Sequence, residues 1–424
     1  PVCIVLAART LSKDETKPAR VRFHVLPKGR REGKFKALAA LSLDAKDWID
    51  CPTEWRTAFL PQVGGTWADF EPLRDQFDYN GSGVMPGRTW IIAPDRETLE
   101  KRWDRLIKEK GAENKELLFH PHLRAGKQGD KHLTKAVKAG LAGHEFRGFS
   151  VASDQGKAIA PTRYAFRTLD RQWIIPDARL INQPNPALWK GWSDKQVFVT
   201  APEDRAITSG PAVTFSALIP DLHHYHGRGG RVYPLWADAQ ATQSNLRADT
   251  LHKLAATLGA AVGPGDFFAY IAAVMAHPAF TARFRNDLVR PGLRVPLTAD
   301  KTLFDEAVAL GCEIVWLHCY GERFVDAAAG RPKGPPRLPK NERPIIPADG
   351  AIPPAPEPLP ETMDYDAAKR RLVIGKGFIE NVAPAMRNYE ISGKNVLDQW
   401  FSYRRRDRTK PLIGDKRPPS PLEK

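Results

Sequence analysis

The chain has 424 residues, 42% of them hydrophobic and 27% charged, which is enough for a globular protein with a large core and, by length, two or three domains. Its 64 Lys and Arg against 49 Asp and Glu give a formal charge of +15, a balance that attracts polyanions, nucleic acid first and anionic membrane surfaces second. No apolar run approaches the roughly 20 residues of a membrane-spanning helix, the opening PVCIVLA is too short and lacks the basic region of a signal peptide, and Cys3, Cys51, Cys312 and Cys319 include no CxxC pair, so neither a disulfide framework nor a zinc knuckle is signalled and the cysteines read as reduced and structural.

In chain order, VCIVLAA and ARVRFHVL read as two strands joined by the charged loop LSKDETKP, and REGKFKALAALSLDAKDW as a short helix ending before Trp48. TWIIA reads as a strand closed by Pro94. Asp95 then caps a helix carrying Leu99, Trp103, Leu106 and Ile107 at helical spacing. RYAFRTLDRQWIIP begins a β-rich centre that continues through VFVTA and AVTFSALIP. Beyond it the period switches to helical: Leu251, Leu254 and Leu258 after a cap at Ser244; Phe268, Ile271 and Met275; Phe280, Phe284 and Leu288 after Pro278; then Phe304, Ala307, Val308, Ile314 and Val315 up to Gly321. From Gly330 to Glu361 proline recurs too often for helix or ladder, giving a semi-rigid linker or an extended strap. Order resumes with RLVIGKGFIENVAP as a hairpin, and with Val396, Leu397, Trp400 and Phe401 on a helix that runs into YRRRDR. Without a membrane-spanning run or signal peptide the chain reads as soluble and cytoplasmic, and because it opens on Pro1 with a strand-like apolar run and no initiator methionine it reads as a piece of a longer polypeptide.

No enzymatic motif stands out. His223, His224 and His226 have no acidic or cysteine partner at metal-ligand spacing and read as a polar loop. NGSGVMPG lacks the Lys-Ser/Thr of a phosphate loop, and no nucleophile elbow or carboxylate pair is present. The basic clusters are more informative, since phosphates need Arg and Lys while base edges need forked or amide donors. By the two-residue period Arg163 and Arg167 share one strand face and Tyr164 and Phe166 the other, with Asp170 and Arg171 at the bend. A solvated strand face is the competing reading, and Asp170 could lock Arg171 in a structural pair. Asn182, Gln183 and Asn185, held between prolines, supply amides suited to adenine or simply make a surface loop. Tyr403, Arg404, Arg405 and Arg406 follow the last helix; arginines suit a helix end, yet three in a row exceed what the macrodipole needs.

The series GSGVMPGRTWIIAPD, RYAFRTLDRQWIIPD, FFAYIAAVMAHPAFTARFRNDLVRPGLRVPL and IENVAPAMRNYEISGKNVLDQWFSYRRRDR resembles the C-terminal, target-recognising portion of type ISP restriction-modification enzymes and related adenine-specific DNA methyltransferases. In the first string Arg88 is kept while Thr89 stands where the family has an acid; in the second, Thr168 replaces a proline. The resemblance implies an α+β fold with a β-rich central lobe and a helical subdomain, preceded by the last strands of an α/β methyltransferase domain. It implies residues 1–60 as that remnant and 61–329 as the recognition domain, β-rich over 61–236 and helical over 237–329. A Pro-rich linker over 330–361 and a C-terminal recognition subdomain over 362–424 complete it. Neither the cofactor glycine motif nor an Asn/Asp-Pro-Pro-Tyr/Phe motif occurs, so S-adenosylmethionine and methyl transfer are implied only for an upstream domain of the same bacterial polypeptide. The partner implied is double-stranded DNA. The implied contact residues are Arg88, Arg163, Arg167, Arg171, Asn182, Gln183, Asn185, Lys394, Tyr403, Arg404, Arg405 and Arg406. The competing readings are a protein–protein assembly module and an independent hydrolase.

Overall fold

A computed structural model describes residues 4–8, 14–27, 29–51, 53, 66–87, 89–119, 132–134, 136–202, 205–225, 229–289, 291–353 and 360–405. The chain divides into two compact units, 1–69 and 70–424.

In the first unit, β1 (Arg22–Phe23) pairs antiparallel with β2 (Ile49–Asp50), and α1 (Arg31–Ala39) lies between them in sequence. The expected strand in VCIVLAA is absent over its described part, 4–8, and only two residues of ARVRFHVL are paired. Ile4, Val5, Leu6 and Val25 are exposed, so these segments have apolar residues of strand type but no facing layer to bury them.

The second unit is mixed α/β, with several small antiparallel sheets and packed helices. β3 (Glu71–Pro72) pairs with β11 (Arg294–Val295). A four-stranded sheet runs β4 (Gly81–Ser82), β10 (Gly230–Pro234), β8 (Phe198–Pro202), β9 (Thr214–Ser216). A three-stranded sheet runs β5 (Ile92–Ala93), β7 (Asp170–Ile174), β6 (Thr162–Arg167). The strand expected in TWIIA is shorter than its apolar run, because Thr89–Ile91 turns as a 3-10 helix first. Asp95 caps α2 (Arg96–Lys108) by accepting from the Thr98 N–H, and Leu99, Trp103 and Leu106 bury one face against the sheet. α3 (Ala112–Phe119) and α4 (Pro186–Lys190) complete this core.

Four helices follow: α5 (Ala248–Leu258), α6 (Pro264–Met275), α7 (Pro278–Arg283) and α8 (Lys301–His318). Ser244 does not cap α5, which starts after Arg247; the Ser244 hydroxyl accepts from the Leu246 N–H instead. α6 is buried almost all round, and α8 crosses it at Gly311, where a Cβ would meet the Ala269 carbonyl at 1.8 Å. The proline-rich segment is tied down along its course. The Trp316 indole donates to the Pro332 carbonyl, Ile345 bridges Glu380, and the Asn381 amide donates to the Asn341 and Arg343 carbonyls. Last come the sheet β12 (Met363–Asp366), β13 (Arg371–Ile374), β14 (Gly377–Ile379), then α9 (Pro384–Arg387), the pair β15 (Glu390–Ile391) and β16 (Lys394–Asn395), and α10 (Val396–Ser402).

Candidate functional site

The β6–β7 hairpin gathers most of the singled-out arginines. Thr162 to Ala165 pair in regular register with Ile174 to Arg171, and Arg163 is exposed with its guanidinium 5.0 Å from the centre of the Trp173 ring. Strict alternation would set Arg167 beside it. The register instead shifts between Ala165, opposite Arg171, and Arg167, opposite Asp170, leaving Phe166 as an extra residue. That bulge turns Arg167 inward. Its Nη1 donates to Asp221 Oδ1 at 2.8 Å and to the Phe166 carbonyl at 2.6 Å, and its guanidinium lies 3.9 Å and 4.5 Å from the Phe166 and Tyr403 ring centres. Asp221 also accepts from the Tyr164 hydroxyl at 2.9 Å. Burial, and then the neighbouring carboxylate, push the Tyr164 phenol well above its usual range, so it acts only as a neutral donor.

The turn of the hairpin is gripped from three directions. Leu169 adopts φ 57°, and the Thr168 hydroxyl donates to the His224 and Tyr225 carbonyls. Asp170 accepts both Nη atoms of Arg404, at 2.7 and 2.8 Å, in a pair that is 5% and 3% exposed. Arg171 donates to Glu322 at 2.7 Å and lies over the Tyr320 ring, whose hydroxyl donates to the Leu169 carbonyl. Tyr403 meets Phe166 edge-on at 5.5 Å. The strand and the C-terminal Tyr-Arg run, far apart in sequence, are therefore brought together, but with Arg167, Arg404 and Tyr403 aimed inward rather than outward. Two expectations are corrected here. The bulge takes Arg167 off the face of Arg163, and Arg171 finds Glu322 while Asp170 takes Arg404.

The amide segment lies against the glycine-rich turn. Met85 and Gln183 exchange backbone hydrogen bonds in both directions, at 2.9 and 3.0 Å. Asn185 is fixed in the left-handed region, its Oδ1 accepting from the Tyr79 hydroxyl and its Nδ2 donating to the Ser82 carbonyl. Both ends of that amide are used, so Asn185 is a brace. Asn182 is half-buried over Gly87, where φ is 78° and a Cβ would strike the Asn182 amide at 2.1 Å. The Gln183 side chain is exposed, as are Arg163 and Arg405; Lys394 is half-buried in β16. Arg88 and Arg406 lie outside the described residues.

No acid–base centre competes with this arrangement among the described residues. His223 Nδ1 accepts from the Gly229 N–H and His224 Nδ1 meets the Thr200 hydroxyl; His226 lies outside the described residues. Burial, then the Arg167 and His318 charges, push His224 down to about 3, and burial alone takes His318 to about 4. No group of three His, Cys, Asp or Glu that could hold a metal occurs among the described residues. A cavity of about 460 Å³ lies between Gly140–Phe146 and α4, with His144 and Lys190 as its titratable lining. Sequence reasoning missed Asp221, Tyr320 and Glu322, which hold the hairpin. They stand 54 and about 151 residues from their partners, and no local pattern signals them. It also missed a buried cluster in which Arg179 bridges Asp177 and Asp154, and Arg147 pairs with the same Oδ2 of Asp154.

Residues 75–417 match the family described as the Type ISP C-terminal specificity domain. Solved structures with a similar fold include the following three. One is a cryo-EM DrdV–DNA complex (TM-score 0.59, 15% identity, covering 94% of this chain and 40% of that one). Another is a nuclease-deletion mutant of the Type ISP restriction-modification enzyme LlaGI with a DNA substrate mimic (0.53, 15%, 89% and 29%). The third is the ATP-dependent Type ISP restriction-modification enzyme LlaBIII bound to DNA (0.56, 12%, 88% and 24%). The chain thus spans well under half the length of the solved chains it matches. Comparison with curated proteins gives no sequence match.

Proposed function

The chain belongs to the Type ISP C-terminal specificity domain family, and on that premise we propose that it recognises a target sequence in double-stranded DNA. The family match over most of the chain is the observation that carries this reading, and the formal charge of +15 agrees with it. Phosphate contacts would set the register of the domain on the duplex, and a few side chains would read base edges. Exposure divides the candidates. Arg163 and Arg405 are free to meet phosphates or guanine edges, and Gln183 presents an amide of the kind that pairs with adenine, on a segment braced by Asn185. Arg167, Arg171 and Arg404 would act by holding the hairpin rigid.

In a longer polypeptide of the length of its structural relatives, this recognition would position DNA for an upstream adenine-specific methyltransferase domain that draws its methyl group from S-adenosylmethionine, within a restriction-modification system active in phage defence. The target base would leave the stack for that chemistry. No residue of this chain is assigned to the cofactor. The test is a binding selection from a pool of random duplexes. Enrichment of one short motif supports the reading; an unenriched pool, with binding insensitive to sequence, points to the assembly-module reading instead.

A further inference from the structure

The helix α8 has a second apolar face that its own fold leaves uncovered. One side packs on α6 through Phe304 and Gly311, with Phe304 stacked on Tyr270 at 5.1 Å between ring centres, and Val315 on the same side is buried. About a quarter-turn away run Leu303, Ala307, Leu310, Ile314 and Leu317. Their spacing alternates four and three, the a/d repeat of a coiled-coil seam. A surface helix normally turns such a seam inward. Here Leu303, Leu310 and Leu317 are 53%, 60% and 45% exposed, and Ala307 and Ile314 are half-buried at the edge of the α6 contact.

The flanks say what would cover it. On the side away from α6 the seam is bordered by Glu306 and Glu313, one heptad apart, both exposed and neither in an ion pair among the described residues. These acids stand out on a chain of formal charge +15 and would repel a phosphate backbone. A second copy of α8 fits poorly. Antiparallel pairing sets Glu306 and Glu313 against their own counterparts, and parallel pairing needs the opposite flank, where Phe304 and Gly311 are buried against α6. We infer that this face docks an amphipathic helix of a partner, one with an apolar heptad seam flanked by Lys or Arg. The inference rests on the α8 face alone, not on the DNA-reading proposal, so the two stand or fall separately.

Two labelled synthetic peptides of about 28 residues, long enough to hold helix on a surface, share a Leu/Ile seam and differ in carrying Lys or Glu at the flanking positions. By fluorescence anisotropy the Lys peptide binds saturably and the Glu peptide several-fold more weakly. Leu310→Asp, at an exposed position, weakens the Lys peptide by roughly 30-fold, as loss of an interface anchor does, with melting temperature and DNA binding unchanged. Glu306→Lys/Glu313→Lys reverses the preference between the peptides. Absence of binding, an unreversed preference, or equal binding by Leu310→Asp overturns the inference. So does a concentration-dependent dimer in sedimentation that Leu310→Asp abolishes, because it makes a second copy the occupant.

Discussion

Arg404 and Arg163 sit at opposite ends of the range of environments an arginine meets in this chain, and substitutions should separate them. Removing one partner of a buried ion pair strands the other charge, so Arg404→Met, which leaves Asp170 unpaired, is expected to cost about 3–5 kcal/mol. The double change Arg404→Met/Asp170→Leu should recover part of that loss: the stranded charge is removed, while the buried Gln172 amide, which donates to Asp170 Oδ1, loses its acceptor. Urea midpoints of the three proteins measure it; a single-variant loss below about 1 kcal/mol would mean that the pair is not formed. Arg163→Ala, at an exposed position, should stay within about 0.5 kcal/mol of the parent. The buried histidines add a pH dependence whose sign is fixed. His224 and His318 are held at about 3 and about 4, below the ~6.5 of an unfolded chain. Folding therefore excludes protons, and their contribution is fully present above about pH 6.5 and is lost as pH falls towards the folded values. His144, lowered by burial, acts in the same direction. His318→Asn keeps an acceptor for the Phe215 N–H but cannot titrate, so its urea midpoint should fall less steeply between pH 7 and 5 than the parent's. Parallel slopes would remove His318 from the account.

Among the elements, the crossing of α6 and α8 is the most constrained contact. Gly311→Ala raises helix propensity by about 1 kcal/mol, yet its Cβ would fall 1.8 Å from a backbone carbonyl that cannot rotate away. The helices must separate, and a net loss of about 1–3 kcal/mol is expected, visible as a lower melting temperature; an unchanged or raised one would contradict the close crossing. Elements like these were legible where the signal is local. The Asp95 cap, the buried face of α2, Pro278 opening α7 and the β13–β14 hairpin follow from spacing and turn residues that neighbours in sequence supply, whereas α6 is buried well beyond the face its spacing marks. The bulge in β6 was not legible, because its cause is remote. Ala165 also bonds to the segment at Ile219 and Asp221, which captures the strand from its other edge and turns Arg167 towards Asp221. In the same way YRRRDR announces charge but not that Arg404 enters the core, since Asp170 lies 234 residues away. In the first unit, apolar runs suggested strands, but a strand also needs a partner layer, and residues 4–8 have none there.

For the whole molecule, the reading is of a positively charged body in which interior arginines fix the shape of the hairpin and exposed ones meet the duplex. If roughly 6–10 phosphates are contacted, affinity should drop by about 10³–10⁵ between 50 and 200 mM salt. A protein-assembly module would lack that slope. The most direct measurement compares binding to the duplex enriched from the random pool with binding to a scrambled duplex of the same length, for the parent chain and for Arg163→Ala, Gln183→Ala and Arg405→Ala. The account predicts that the parent prefers the enriched duplex, and that Arg163→Ala and Arg405→Ala bind more weakly with melting temperature unchanged. It also predicts that Gln183→Ala narrows the gap between the two duplexes by about 1–3 kcal/mol. Equal affinity of the parent for both duplexes, or three variants indistinguishable from it, would contradict it.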